Sequence, residues 1–214
     1  MTMSANEQPE QQEIHAANLD VVHEANASPE IKRLYQQFRE DFGRPQVPAI
    51  LQCFATHPPL LTHMMGLAKS MVFVDGALGR EHKEMISTFV SSWNRCDYCA
   101  DSHAWSFRMQ GGSASAMDAV LACDTEATSI KAEERTLLQF VRKITEDSRS
   151  VTPADIEAMR VAGWTDLQIA ETIHVTALFA TFNRVVNAFG LPSLELLKQF
   201  EQPQSQEAQG TPHA

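Results

Sequence analysis

Residues 80–111 read REHKEMISTFVSSWNRCDYCADSHAWSFRMQG, and this stretch decides the fold. Met85, Ile86, Phe89, Val90 and Trp93 fall at the spacing that puts side chains on one face of a helix. Asn94 closes that helix, and a second is predicted to open at Cys96 and run to Gly111. The same period continues on both sides. Upstream, Ile50, Leu51 and Phe54, then Leu60, Leu61, Met64, Met65, Leu67 and Met71, give two helices. Pro58 and Pro59 divide them, since proline lacks an N–H and clashes with the preceding turn. Ser28, Pro29 and Glu30 supply an N-cap, a first helical residue and a first-turn acid, and Gly43 ends a helix whose buried stripe holds Leu34 and Phe38. Downstream, Met117, Val120 and Leu121 mark a short helix, and Leu137, Leu138, Phe140, Val141 and Ile144 a longer one from near Lys131. Thr152 and Pro153 start another, ended by Gly163, and Thr165 with Gln168 forms a capping box for a long helix reaching Gly190. No strand-like alternation intervenes. The expectation is an all-α chain, a packed helical bundle.

A length of 214 residues suits one domain on a single core. The polar composition of residues 1–27 and 202–214 predicts mobile tails around a helical domain at 28–201. Acidic residues outnumber Lys and Arg by 27 to 17, for a formal net charge of −10. Phosphate backbones and anionic lipid would be repelled, so neither nucleic acid nor a membrane is an expected partner. The opening residues hold no apolar segment behind a basic start, and no run is long enough to cross a bilayer. A cytoplasmic location is the resulting expectation. Four cysteines without a secretory signal do not make a disulfide scaffold, so the clustered pair is expected to be catalytic, redox-active or metal-binding.

That pair is Cys96 and Cys99, three apart, and on a helix this spacing lies inside the range a disulfide can bridge. Both thiols would sit in the first turn, where free N–H groups and the positive end of the helix dipole favour thiolate. His103 lies four residues after Cys99 and leans back toward it, whereas Cys96 is seven residues from His103, about 10 Å along the axis. Two thiolates and an imidazole are also good zinc ligands, with Glu84 available as a fourth. A metal-assisted lyase or hydrolase therefore stands as an alternative, as does a non-enzymatic oligomer that senses redox state through the disulfide.

Glu84, eleven intervening residues, Cys96, two more, Cys99, three more and His103 resemble the signature of the AhpD-like alkylhydroperoxidases of the carboxymuconolactone decarboxylase superfamily. RCDYCADSH, TPADIEAMRVAGWTD and FNRVVNAFG follow in the order of its peroxidase-related branch, and the resemblance spans roughly residues 28–200. It implies an all-helical, homo-oligomeric thiol peroxidase acting on hydrogen peroxide or organic hydroperoxides. It further implies that Cys99 attacks the peroxide, Cys96 resolves the sulfenic acid, and Glu84 and His103 relay protons. No metal or bound cofactor is implied, and the electrons would come from an external dithiol, lipoyl-bearing or thioredoxin-like. Where some relatives carry histidine just before the second cysteine, this chain has Tyr98. A neutral phenol is no base near pH 7, which leaves it to orient a water or substrate.

Other residues receive plainer readings. Cys53 and Cys123 stand singly in apolar stretches as small packed residues, and His174 on the long helix reads as core. Asn183 and Arg184 fit either support of the site or an interface, or else a solvated face. Met64, Met65, Met71 and Phe73 are assigned to core in preference to a substrate pocket.

Overall fold

The computed structural model describes residues 15–201. Its α-helices are α1 Pro29–Phe42, α2 Ala49–Phe54, α3 Pro58–Met71, α4 Arg80–Trp93, α5 Asp97–Met109, α6 Ala114–Leu121, α7 Ala132–Asp147, α8 Pro153–Val161, α9 Asp166–Phe189 and α10 Lys198–Glu201. The described residues contain no strand, and none of their helices is long and apolar enough to cross a membrane.

The starts and stops follow local chemistry. Ser28 Oγ accepts from the Ile31 N–H at 3.3 Å, Pro29 occupies the first turn, and Gly43 ends α1 at φ 62°, a left-handed conformation natural to glycine. Thr165 and Gln168 form the expected capping box at α9, which Gly190 closes at φ 78°.

Residues 15–27, read as part of the N-terminal tail, lie against the helices. Val21 and Ala27 are buried, the Ala17 and Asn18 N–H groups each donate at 3.0 Å to the carbonyls of Gly190 and Phe189, and Tyr35 Oη donates at 2.6 Å to Val22 O. These anchors are mostly backbone groups, which composition does not register. Residues 1–14 and 202–214, also read as tails, lie outside the described residues.

Helix α4 is the hub, packing on α5, α6, α7 and α9. Every residue from Lys83 to Ser91 is buried, so it is not a one-sided helix. Met85, Ile86, Phe89 and Val90 fill the core with Leu137, Leu138 and Val141 of α7 and Val175, Phe179 and Phe182 of α9. Each such side chain contributes roughly 1.5–3 kcal/mol by leaving water, which fixes α4 laterally. Its small polar residues stay satisfied by bonding back: Ser87 Oγ to Lys83 O at 2.6 Å and Thr88 Oγ1 to Glu84 O at 2.8 Å. Lys83 is itself buried, donating from Nζ to Val74 O at 3.0 Å and lying 3.5 Å from Glu171. Glu171 in turn accepts from the Ala77 and Leu78 N–H groups at 2.9 Å. A Cβ on Gly76 would stand 2.3 Å from a Glu171 oxygen, so a side chain there would displace the carboxylate from this turn.

Glu134 of α7 holds the outer side of α4. It is buried, lies 3.4 Å from His82 Nε2 and accepts from Lys131 Nζ at 3.0 Å. The hydrogen bond from His82 outweighs burial, and Lys131 adds to it, bringing the carboxyl from 4.5 down to about 2. A depressed carboxylate contributes stability that is complete above its unfolded value and lost as pH falls through the folded one. Chemical denaturation of the parent and Glu134→Gln should therefore show the parent more stable at pH 7, with the gap closing between pH ~4.5 and ~2. A gap of equal size at both ends would show that the charge does not contribute.

Candidate active site

The turn from α4 to α5 sets the cysteines in place. Arg95 adopts φ 53°, a left-handed conformation uncommon for any residue but glycine, and Cys96 N–H donates to Ser91 O at 2.9 Å. Helix α9 clamps this turn: Asn94 Nδ2 donates to Asn183 Oδ1 at 3.0 Å, Asn183 Nδ2 to Ser91 Oγ at 3.0 Å, and Asn187 Nδ2 to Asn94 O at 3.3 Å. Asn183 is buried and so belongs to the support of the site, while its neighbour Arg184 is exposed and bonds back to Ala180 O.

Cys96 is the N-cap of α5 and fully buried, Cys99 is almost so, and both thiols are free. The Cys99 S–H donates to Cys96, which outweighs burial and lowers the Cys96 thiol below its ordinary value. The Cys99 N–H also faces the Cys96 sulfur, short of a full capping bond, and the Asn183 amide favours the thiolate of either cysteine. The same shared proton, followed by burial, pushes Cys99 well up. When one of the two thiols ionises, the remaining proton is shared between the sulfurs and the negative charge is favoured at Cys96.

Glu84 and His103 form a second pair. Glu84 is fully buried on α4, and its Oε2 lies 2.6 Å from His103 Nδ1 while Oε1 accepts from Arg80 one turn earlier. Burial pushes the Glu84 carboxyl up, but His103 and Arg80 together outweigh it and leave the carboxyl below its ordinary value. With Glu84 ionised, Nδ1 carries the hydrogen and Nε2 is the basic nitrogen. The His103 ring also meets Phe179 edge-on at 4.6 Å, which fixes its plane. Arg80 escaped the sequence reading, although its spacing of four from Glu84 on a helix was a usable signal.

The pairs meet at a cavity of about 450 Å³. Cys99, Ser102 and His103 line it along one face of α5, and Cys96 is not among its lining residues. Among the described residues no hydrogen bond joins His103 to either sulfur, so the expected direct contact between His103 and Cys99 becomes a shared wall of one cavity. Met64, Met65 and Phe73, read as core, line it as well, whereas Met71 packs against the core.

Tyr98 is buried, and its hydroxyl lies against the Ala49 and Ile50 N–H groups at the start of α2. Pro48 there offers no capping side chain, so the Tyr98 oxygen faces the N–H groups that a cap would otherwise serve, and Tyr98 also lines the cavity. Burial pushes that phenol further from any role as a base. Cys53 is buried and pushed up to about 12 by burial, and half-buried Cys123 is also raised by burial. His174, expected in the core, is exposed because Val175 and Thr176 turn the inward face of α9. No group of three His, Cys, Asp or Glu side chains converges on a metal position among the described residues.

Comparison with known proteins places this geometry. The carboxymuconolactone decarboxylase family matches over residues 58–143, which contain Glu84, Cys96, Cys99 and His103. The chain is similar to the structure of an alkylhydroperoxidase AhpD core, an uncharacterized peroxidase-related protein from Ralstonia eutropha JMP134: 26% identity, 84% of this chain, 94% of that one, TM-score 0.74. A peroxidase-related protein from Silicibacter sp. TM1040 is 25% identical over 89% of this chain and 95% of its own, with a TM-score of 0.69. The debrominase Bmp8, solved with 2,3,4-tribromopyrrole, shares the fold at 13% identity, 90% and 98% coverage and a TM-score of 0.68. No curated protein matches the chain in sequence. With the family match lying across the helices that hold both pairs, and the fold shared across nearly the whole of the peroxidase-related neighbours, residues 58–143 are a carboxymuconolactone decarboxylase family segment within a chain of AhpD-like fold.

Proposed function

We propose that the chain is a thiol-dependent peroxidase that reduces hydrogen peroxide or an organic hydroperoxide through a disulfide between Cys96 and Cys99. One observation carries this reading: of two proton-sharing thiols, Cys99 alone opens on the cavity that the Glu84-anchored His103 also lines. In this reading His103 Nε2 takes one thiol proton as the peroxide enters the cavity, and the other stays between the sulfurs. When the Cys99 sulfur attacks the outer peroxide oxygen, the shared proton moves to Cys96, the O–O bond breaks, and His103 protonates the departing alkoxide. Cys96 then attacks the Cys99 sulfenic acid, forming the disulfide and releasing water. Two thiols and one hydroperoxide thus give one disulfide, one alcohol and one water. An external dithiol, lipoyl-bearing or thioredoxin-like, restores the thiols, and the family resemblance supports a homo-oligomer.

Treating the reduced protein with one equivalent of peroxide in the presence of a chelator, followed by non-reducing peptide mapping, tests the reading. The expected result is loss of two thiols per chain in a Cys96–Cys99 disulfide, with Cys53 and Cys123 still titratable after denaturation. A disulfide to Cys53 or Cys123 would sink the pairing. Loss of the reaction on chelation would instead favour zinc chemistry at the same residues.

A further inference from the structure

The cavity carries a charge pattern that the thiol chemistry does not use. Among the described residues Arg44 is the single one lining it with a permanent charge, and no Asp or Glu does so, in a chain of formal net charge −10. Arg44 is exposed at the rim, in the loop between α1 and α2. Arg39 fastens that loop by donating from Nε to Pro45 O at 2.8 Å. The Arg44 guanidinium stands 5.2 Å from the centre of the Phe73 ring, and that of Arg80 stands 5.1 Å from the same ring. The two cations differ in one respect. Arg80 is paired with Glu84, whereas Arg44 has no acidic partner among the described residues.

A guanidinium is a planar fork that matches a carboxylate, and the Phe73 ring beneath it gives this one a seat at the rim. Behind it the cavity wall is apolar, with Phe38, Phe42, Val47, Met64 and Phe73. We propose that the cavity takes an amphipathic acid: a hydroperoxide whose carboxylate is held by Arg44 at the rim while its apolar body reaches Cys99. This names a substrate class for the peroxidase reading and rests on it. The carboxylate is a spectator, and the products are the hydroxy acid, the disulfide and one water.

Binding and reaction are measured separately on the reduced full chain. Calorimetric titration should show decanoic acid binding about tenfold more tightly than decanol, as expected for one charge-assisted contact at a partly solvated rim. The preference should vanish in Arg44→Gln, persist in part in Arg44→Lys and reverse in Arg44→Glu. Single-turnover thiol loss should favour linoleic acid hydroperoxide over its methyl ester in the same order. Equal binding of acid and alcohol by the parent protein, or a preference that survives Arg44→Gln, overturns the assignment. Acid-selective binding without thiol loss to any hydroperoxide would keep the cavity assignment and remove the peroxidase reading. Thiol loss without acid preference would remove the cavity assignment alone.

Discussion

Replacing Cys99 with serine is expected to bring peroxide-driven thiol loss down to the rate seen in buffer. Charge and access point to different sulfurs here: the shared proton favours thiolate at Cys96, but the cavity is lined by Cys99. Access decides, because displacement on a peroxide needs the sulfur in line with the O–O bond, and a buried anion off the cavity wall has no such approach. The proton can move along the hydrogen bond between the sulfurs as attack proceeds. Cys96→Ser should still react and should accumulate a sulfenic acid on Cys99 that a selective probe and mass mapping would locate. Sulfenic acid forming on Cys96 in the Cys99→Ser protein at the parent rate would overturn the order of attack.

Glu84→Gln and His103→Gln should each slow the first thiol oxidation by roughly 10²-fold near pH 7, within the range found for removing a positioned acid or base. The deficit should shrink as pH rises, because thiolate then forms without help from the imidazole. In the parent protein Glu84 lies below its ordinary carboxylate value, so its contribution is complete at neutral pH and fades only as acid protonates it. Circular dichroism is the control for Glu84→Gln, since that change leaves the Arg80 guanidinium facing a neutral amide. A rate equal to the parent across the pH range would remove the pair from the mechanism.

The helices and the cysteine pair were legible because both depend on short spacings. Ser28, Gly43 and Thr165 mark ends through local backbone chemistry, and three or four residues along one helix bring Cys96, Cys99 and His103 together. Glu84 could be matched to them only through the family signature, since it sits on another helix. What was hidden depends on contacts between distant segments. Asn183 lies 92 residues from the Ser91 it holds, the Tyr98 hydroxyl finds its partners at the start of α2, and residues 15–27 dock through backbone groups. Met64, Met65 and Phe73 show why a pocket is hard to read from a sequence: the same apolar side chains serve as core and as cavity wall. Arg44 has no signature at all outside the folded chain.

The shared proton also bears on how the proposed enzyme is recharged. Stabilising the Cys96 thiolate lowers the energy of the reduced chain, but the hydrogen bonds responsible have no equivalent acceptor once the sulfurs are joined. The effect raises the reduction potential of the couple by about 30 mV for each tenfold of added stabilisation. The contacts that ready the pair for peroxide therefore also make its disulfide a stronger oxidant toward the dithiol that must empty it.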